Sequence, residues 1–348
     1  MMMQPQSQLK CLIAGVGSIG RRHLRNLRAL GVNDFVLYRR AGSSGAPGES
    51  ELAGLPTETD LQAALSHKPD FAVIANPTAL HLETAFACAR AGCHLFIEKP
   101  VSHTLAGCEE LAAEIERRKL VTMAGFQFRF HPGLQHIKRL LEAGAVGAVV
   151  SVQAHWGEYL PGWHPWEDHR RSYSAREDLG GGVTLTLCHP FDYLRWLLGE
   201  VRDVSAMLGR RGGLGIEVED TAEVQLRFES GVTAQVHLDY VERPPSHRLQ
   251  LIGQGGKLEW SSSDGAARCY DAKQGTWSEY PAPGGFERNR MFTDELRHFL
   301  DCMTGGAPPL CGWSDGVAAL RIALAAKESA QTERVAQVKP MQTAVRAA

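Results

Sequence analysis

Apolar and polar positions change rhythm near residue 126. Before that point, short apolar runs at 9–14, 34–38, 70–75, 94–98 and 121–125 alternate with stretches of helical apolar spacing at 21–30, 59–65, 78–91 and 104–119. Strand and helix in turn, joined by short connections, predict a doubly wound parallel sheet covered on both faces. From about residue 149 the runs lengthen, at 149–156, 201–208, 220–228, 232–240 and 247–252, and several alternate apolar with polar. That period of two predicts a large, mostly antiparallel open sheet with one covered face. Glu229-Ser230-Gly231 marks a hairpin, and helices are expected at 133–142, 189–198, 290–303 and 314–329. The pattern therefore reads as an α/β protein: a doubly wound domain over 1–126 and an α+β domain over 127–348.

Composition narrows the partners. A chain of 348 residues exceeds what one core accommodates, so two domains fit its length. Net charge −2 offers no positive field, so neither nucleic acid nor an acidic membrane is an expected partner. No run approaches the roughly 18–20 apolar residues that span a bilayer, and the polar start lacks the apolar core of a signal peptide. Eight cysteines without CxxC spacing suit a reducing compartment, and the expected location is the cytoplasm. None of the 14 histidines falls in HExxH or Cys/His zinc spacing, so no metal is expected. Residues 41–51 read as a Gly/Ser-rich surface loop, and 341–348 as a fraying end.

Gly15-x-Gly17-x-x-Gly20 lies between the first strand and the first helix, the context that makes this spacing informative. Gly15 permits a tight turn, Gly17 lets backbone approach a pyrophosphate, and Gly20 allows close helix packing. Ser18 and Ile19 begin the helix whose N-terminus faces the anion. These features predict a Rossmann dinucleotide-binding domain. The second strand ends in Tyr38-Arg39-Arg40, followed by Ala41, Gly42, Ser43 and Ser44, with no acid to bind a ribose 2′-hydroxyl. Arg39 and Arg40 favour the 2′-phosphate of NADP(H), while NAD(H) remains compatible.

Further motifs give the chain a specific resemblance. Glu98-Lys99-Pro100 ends the strand at 94–98, downstream of Asn76-Pro77 and His81. Gly125-Phe126-Gln127-Phe128-Arg129-Phe130, then Gly180-Gly181-Gly182 with His189-x-x-Asp192, and finally Phe299 and Ser314-Asp315-Gly316 follow in order. Together these resemble the Gfo/Idh/MocA oxidoreductases across nearly the whole chain. The resemblance implies a Rossmann domain, a second domain whose open sheet often mediates oligomers (a homodimer or homotetramer here), and an active site at the nicotinamide end. It implies that Asn76, Pro77, His81, Glu98 and Lys99 border the cofactor, and that Gln127, Arg129, Thr186, His189 and Asp192 border the substrate. Lys99 would be catalytic, its ammonium stabilising charge on a reacting oxygen. His189 suits proton exchange near neutral pH, with Asp192 one turn on to orient it. Many relatives carry Asp four residues before this histidine. Here that position is Leu185, and the neighbouring Thr186 cannot act as a carboxylate base, which leaves proton transfer to His189.

Between the two sets of motifs lies an aromatic segment containing Trp156, Tyr159, Trp163, Trp166 and Arg170. Aromatic faces suit sugar C–H faces and arginine suits an anionic group, so Trp166 and Arg170 are candidate substrate contacts; equally, the tryptophans suit packing into the domain or a subunit interface. The segment resembles a branch of the family linked to bacterial surface-carbohydrate synthesis. The expected reaction is hydride transfer between nicotinamide and a hydroxyl or carbonyl carbon of a sugar, sugar acid or nucleotide-sugar. The alternatives are an inositol-type polyol dehydrogenase and a non-catalytic NAD(P)-binding sensor.

Overall fold

The computed structural model describes residues 8–40 and 49–339. Most of the expected surface loop, with Ser43 and Ser44, lies outside the described residues, as do the polar start to Ser7 and the end from Pro340. The chain forms two compact units: one runs to Gln127 and adds Arg288–Val317, the other comprises Phe128–Glu287 with the residues from Ala318 onward. Residues 288–317, placed by the linear pattern with the second domain, group with the first.

The first unit is built on a six-stranded parallel sheet of β1 (Lys10–Ala14), β2 (Asp34–Tyr38), β3 (Thr57–Glu58), β4 (Phe71–Ile74), β5 (His94–Glu98) and β6 (Thr122–Gly125), in the order β3-β2-β1-β4-β5-β6. Its helices are α1 (Ser18–Ala29), α2 (Leu61–Ser66), α3 (His81–Arg90), α4 (Cys108–Arg118) and a later helix, Arg288–Gly305. The central strands are buried along almost their whole length, which explains why they read as unbroken apolar runs. Phe299 of the later helix packs edge-on against Phe71 and Phe96, with ring centres 5.8 and 5.7 Å apart. The two-residue strand β3 is too short for any period to announce it. Asp60 caps α2 by accepting the Ala63 N–H at 2.8 Å.

The second unit holds α5 (Pro132–Glu142), α6 (Val183–Thr186) and α7 (His189–Leu198) against a nine-stranded sheet. Its strands are β7 (Val149–Gly157), β8 (Val201–Gly209), β9 (Thr221–Phe228), β10 (Thr233–Asp239), β11 (Ser246–Gly253), β12 (Gly256–Ser261), β13 (Ala267–Asp271), β14 (Thr276–Tyr280) and β15 (Ala336–Gln337). Their order is β14-β13-β12-β11-β7-β10-β9-β8-β15, antiparallel except where β10 runs parallel to β7. Strict alternation of buried and open positions along β9 gives one covered and one open face, as the period of two predicts. The hairpin turn at Glu229-Ser230-Gly231 joins β9 to β10. The sequence reading stops at β11. Beyond it β12–β14 form a short meander whose last strand, Thr276–Tyr280, is largely exposed and carries no apolar face to read. All eight cysteines are buried and none is in a disulfide, and no described helix is long and apolar enough to cross a membrane.

Candidate functional site

Because all six strands of the first sheet are parallel, their C-terminal ends share one edge, and the order reverses direction between β1 and β4. The glycine loop follows β1 at this edge. Gly15 has φ +99°, and a Cβ there would stand 2.5 Å from the Asn76 nitrogen. Gly20 lies against the same turn, where a Cβ would fall 1.9 Å from the Gly15 carbonyl oxygen. At Gly17 a Cβ would meet nothing within 4 Å. Two glycines therefore close the turn and the third leaves open space beside it. Gly17 is also the cap residue of α1 and brings no side chain to that helix N-terminus, which begins at Ser18 and Ile19. An open backbone cradle beneath a helix N-terminus fits a pyrophosphate.

Asn76 and Pro77 follow β4, and Asn76 Nδ2 donates to Thr84 Oγ1 at 2.9 Å. His81 is buried, with Nδ1 2.9 Å from the Pro100 carbonyl oxygen and Nε2 2.8 Å from that of Asn76. Its ring thus ties the loop after β4 to the loop after β5. Burial lowers its pKa, outweighing the two carbonyls, which favour the charged ring.

Glu98 ends β5 almost wholly buried. Its Oε1 lies 2.6 Å from His23 Nε2, and its Oε2 accepts the Lys99 N–H at 3.2 Å. Burial raises the Glu98 pKa, but the bond and charge of His23 with the charge of Lys99 outweigh it, and the carboxyl is held below its usual value. The next residue, Lys99, is half-buried. His23 did not emerge from the sequence; its signal was a histidine three residues after Gly20, on the buried face of α1. Arg21 was likewise missed, and its buried guanidinium donates to the Val16 carbonyl within the glycine loop at 2.8 Å.

Arg39 and Arg40 follow β2 directly. Arg40 lines a cavity of about 780 Å³ together with Tyr38, Asp60, Asn76, Thr84 and Arg90. Two carboxylates line the same cavity, Glu83 and Asp60, the latter capping α2.

In the second unit, His189 opens α7 and is 1% exposed. Its ring packs edge-on to Phe128 at 4.9 Å and tilted against Trp156 at 5.3 Å, so packing fixes its orientation. Thr186 and Leu185 are buried in the short helix α6 just before it. The glycines ahead of α6 have a packing reason: a Gly181 Cβ would stand 2.4 Å from the Tyr173 carbonyl, and a Gly182 Cβ 2.4 Å from Glu219 Oε1. Arg129 grips the Asp192 carboxylate through Nε and Nη2 at 2.7–3.2 Å, and both side chains are buried. Asp192, expected to orient His189, therefore has Arg129 as a partner. Gln127 is buried as well.

The aromatic segment divides. Trp156 is buried and Trp163 packs edge-on against Tyr240, whereas Trp166 is 58% exposed. Arg170 is exposed and forms a two-pronged pair with Asp168. Packing thus claims two tryptophans and leaves the third on the surface.

Comparison with known proteins bears on both units. A model described as "Oxidoreductase family, NAD-binding Rossmann fold" matches residues 9–126, and one described as "GFO/IDH/MocA C-terminal domain" matches residues 134–259. Among curated relatives, myo-inositol 2-dehydrogenase of Thermotoga maritima is 27% identical, over 92% of this chain and 96% of its own. D-apiose dehydrogenase of Paraburkholderia graminis is 26% identical, over 96% and 91%. Among solved structures, levoglucosan dehydrogenase in complex with NADH and levoglucosan superposes with TM-score 0.85 at 20% identity, covering 95% of this chain and 99% of that one. That likeness is one of fold. Aldose-aldose oxidoreductase from Caulobacter crescentus, complexed with glycerol, superposes with TM-score 0.79 at 26% identity, covering 94% and 99%.

Proposed function

Because the chain belongs to the Gfo/Idh/MocA oxidoreductase family, we propose that it is a dehydrogenase moving hydride between a nicotinamide dinucleotide and a hydroxyl or carbonyl carbon of a sugar, sugar acid or nucleotide-sugar. The observation that carries this reading is the glycine loop: Gly15 and Gly20 close the turn, while Gly17 leaves open space beside the N-terminus of α1. Gly17, Ser18 and Ile19 would hold the pyrophosphate; Asn76, Pro77, His81, Glu98 and Lys99 would border the rest of the cofactor. When bound, the dinucleotide supplies the hydride acceptor or donor.

The residues of the chain supply the rest. Lys99 stabilises negative charge on the reacting oxygen, and the Glu98–His23 pair behind it holds the strand end that carries it. His189, oriented by Phe128 and Trp156, takes or returns the hydroxyl proton. Gln127, Arg129, Trp166, Arg170, Thr186 and Asp192 complete the proposed substrate contacts, Arg129 and Asp192 as one ion pair.

The proposed cofactor preference is NADP(H). Arg39 and Arg40 follow β2 where an acid would repel a 2′-phosphate. Tighter NADH than NADPH binding, with the ratio unchanged in Arg39→Ala/Arg40→Ala, would reverse this preference. A cyclic polyol is the second substrate reading, favoured by relatives named as inositol dehydrogenases. A cytoplasmic homodimer or homotetramer completes the proposal.

The test is to offer free sugars, sugar acids, nucleotide-sugars and inositols with each dinucleotide and to follow nicotinamide absorbance. Turnover on a polyol alone selects the second reading. Tight dinucleotide binding without turnover on any of them selects a sensor instead.

A further inference from the structure

Strands β7 and β10 run parallel and in register, so His155 stands beside His237 on the open face of the nine-stranded sheet, with ring centres 4.6 Å apart and nearly stacked. Asp239, two residues after His237, turns Oδ2 to within 3.0 Å of His237 Nε2, while its Oδ1 accepts the N–H groups of Val241 and Glu242. One donor atom from each of His155, His237 and Asp239 lies within 4.8 Å of the others.

Two further carboxylates complete the arrangement. Glu223 Oε1 lies 2.6 Å from His237 Nδ1, and Glu242 Oε2 lies 2.6 Å from His155 Nε2. Gly157 forms the floor. A Cβ there would stand 2.1 Å from Glu242 Oε2 and 2.3 Å from Asp239 Oδ2, so two carboxylate oxygens converge over a position kept free of side chain.

We propose that His155, His237 and Asp239, with Glu242 as a fourth donor, form a site for a divalent transition ion, zinc by preference. Two imidazoles with carboxylate oxygens match a borderline-soft ion, whereas calcium and magnesium take oxygen alone. Tetrahedral zinc bonds of about 2.0–2.2 Å place neighbouring donors roughly 3.3 to 3.6 Å apart, so the 3.0 Å His237–Asp239 pair need open by only a few tenths of an ångström to admit the ion. Glu223 on the far nitrogen of His237 is the outer carboxylate that orients a ligating imidazole. The ion offsets the repulsion between the converging Asp239 and Glu242 oxygens and cross-links β10 to β7. In the single chain each of the two histidine side chains is 28% exposed.

The experiment uses the untagged full chain, stripped with chelator, dialysed and titrated with zinc chloride by calorimetry, with bound metal counted by mass spectrometry. The expected result is about one zinc per chain at micromolar or tighter affinity. His155→Ala and His237→Ala should abolish this binding, and Glu223→Gln should weaken it about 10-fold. No zinc binding by the wild-type chain, or full binding in the His155→Ala/His237→Ala double variant, overturns the site. If the alanine variants fold poorly, zinc-edge X-ray absorption of the wild-type chain decides: two imidazole nitrogens in the shell support the site, and an oxygen-only shell overturns it.

Discussion

Asp192→Asn tests whether the pair with Arg129 supports the fold or is held chiefly for substrate. The substitution keeps shape and removes charge, leaving the Arg129 guanidinium, 2% exposed, without its carboxylate. The wild-type contact is two-pronged at 2.7–3.2 Å, with Asp192 only 1% exposed, so screening by water is slight. Removing one partner of a buried pair typically costs about 3–5 kcal/mol, because the other charge stays buried and uncompensated. In a unit of this size each kcal/mol moves Tm by about 2–4 °C, so thermal unfolding should show a fall of roughly 6 to 20 °C. Arg129→Met/Asp192→Leu removes both charges together and should recover most of that loss. A Tm unchanged in Asp192→Asn, with a raised KM, would refute the structural role of the pair and leave Asp192 a substrate contact alone.

Three further outcomes follow from the same geometry. Lys99→Met should keep the fold and dinucleotide affinity while kcat falls about 100-fold or more, and His189→Ala should also lower kcat; near-normal turnover in Lys99→Met defeats the proposed role. Gly17→Ala should leave thermal stability nearly unchanged but weaken dinucleotide binding at least 10-fold, whereas Gly20→Ala should destabilise the first unit by about 1–3 kcal/mol or more, because its Cβ would overlap the Gly15 carbonyl; equal stabilities for the two variants would contradict these roles. Burial lowers His131 from 6.5 to about 4, and the fold holds it neutral with Nδ1 accepting the Gly133 N–H at the start of α5. The unfolded chain binds that proton first, so this stabilisation is complete above about pH 6.5 and drains away by about 3 kcal/mol as pH falls to 4. Urea titrations across that range should show a shallower pH slope for His131→Asn, which keeps a capping acceptor; an identical slope refutes the assignment.

The parts of the fold legible in the sequence were those where local pattern and tertiary environment agree. Strands β1, β4 and β5 are covered on both faces and therefore read as unbroken apolar runs, and β9 is covered on one face and therefore alternates. At β14 the environment imposes no apolar pattern, and side-chain spacing carries no sign of the strand. Thr276–Tyr280 belongs to a strand because β13 pairs with it through backbone groups, which leave no mark on side-chain composition. Residues 288–317 join the first unit for a comparable reason: Phe299 supplies an apolar face to Phe71 and Phe96, and any helix of that period would have looked the same in sequence.

For the chemistry, legibility followed sequence separation. The glycine loop acts through consecutive backbone and carries its spacing openly, so its geometry could be anticipated residue by residue. The Glu98–His23 pair joins residues 75 apart and Arg129–Asp192 joins residues 63 apart, and no linear motif couples them. The same holds more strongly for His155, His237 and Asp239. Zinc spacing motifs place ligands on one loop or one helix turn, yet here the register of two strands brings together residues 82 apart, His155 and His237. In-register pairing sets two side chains on one sheet face beside each other whatever lies between them in the chain. The absence of a metal motif in the sequence was therefore a statement about local spacing alone, and it placed no constraint on what a nine-stranded sheet assembles across its open face.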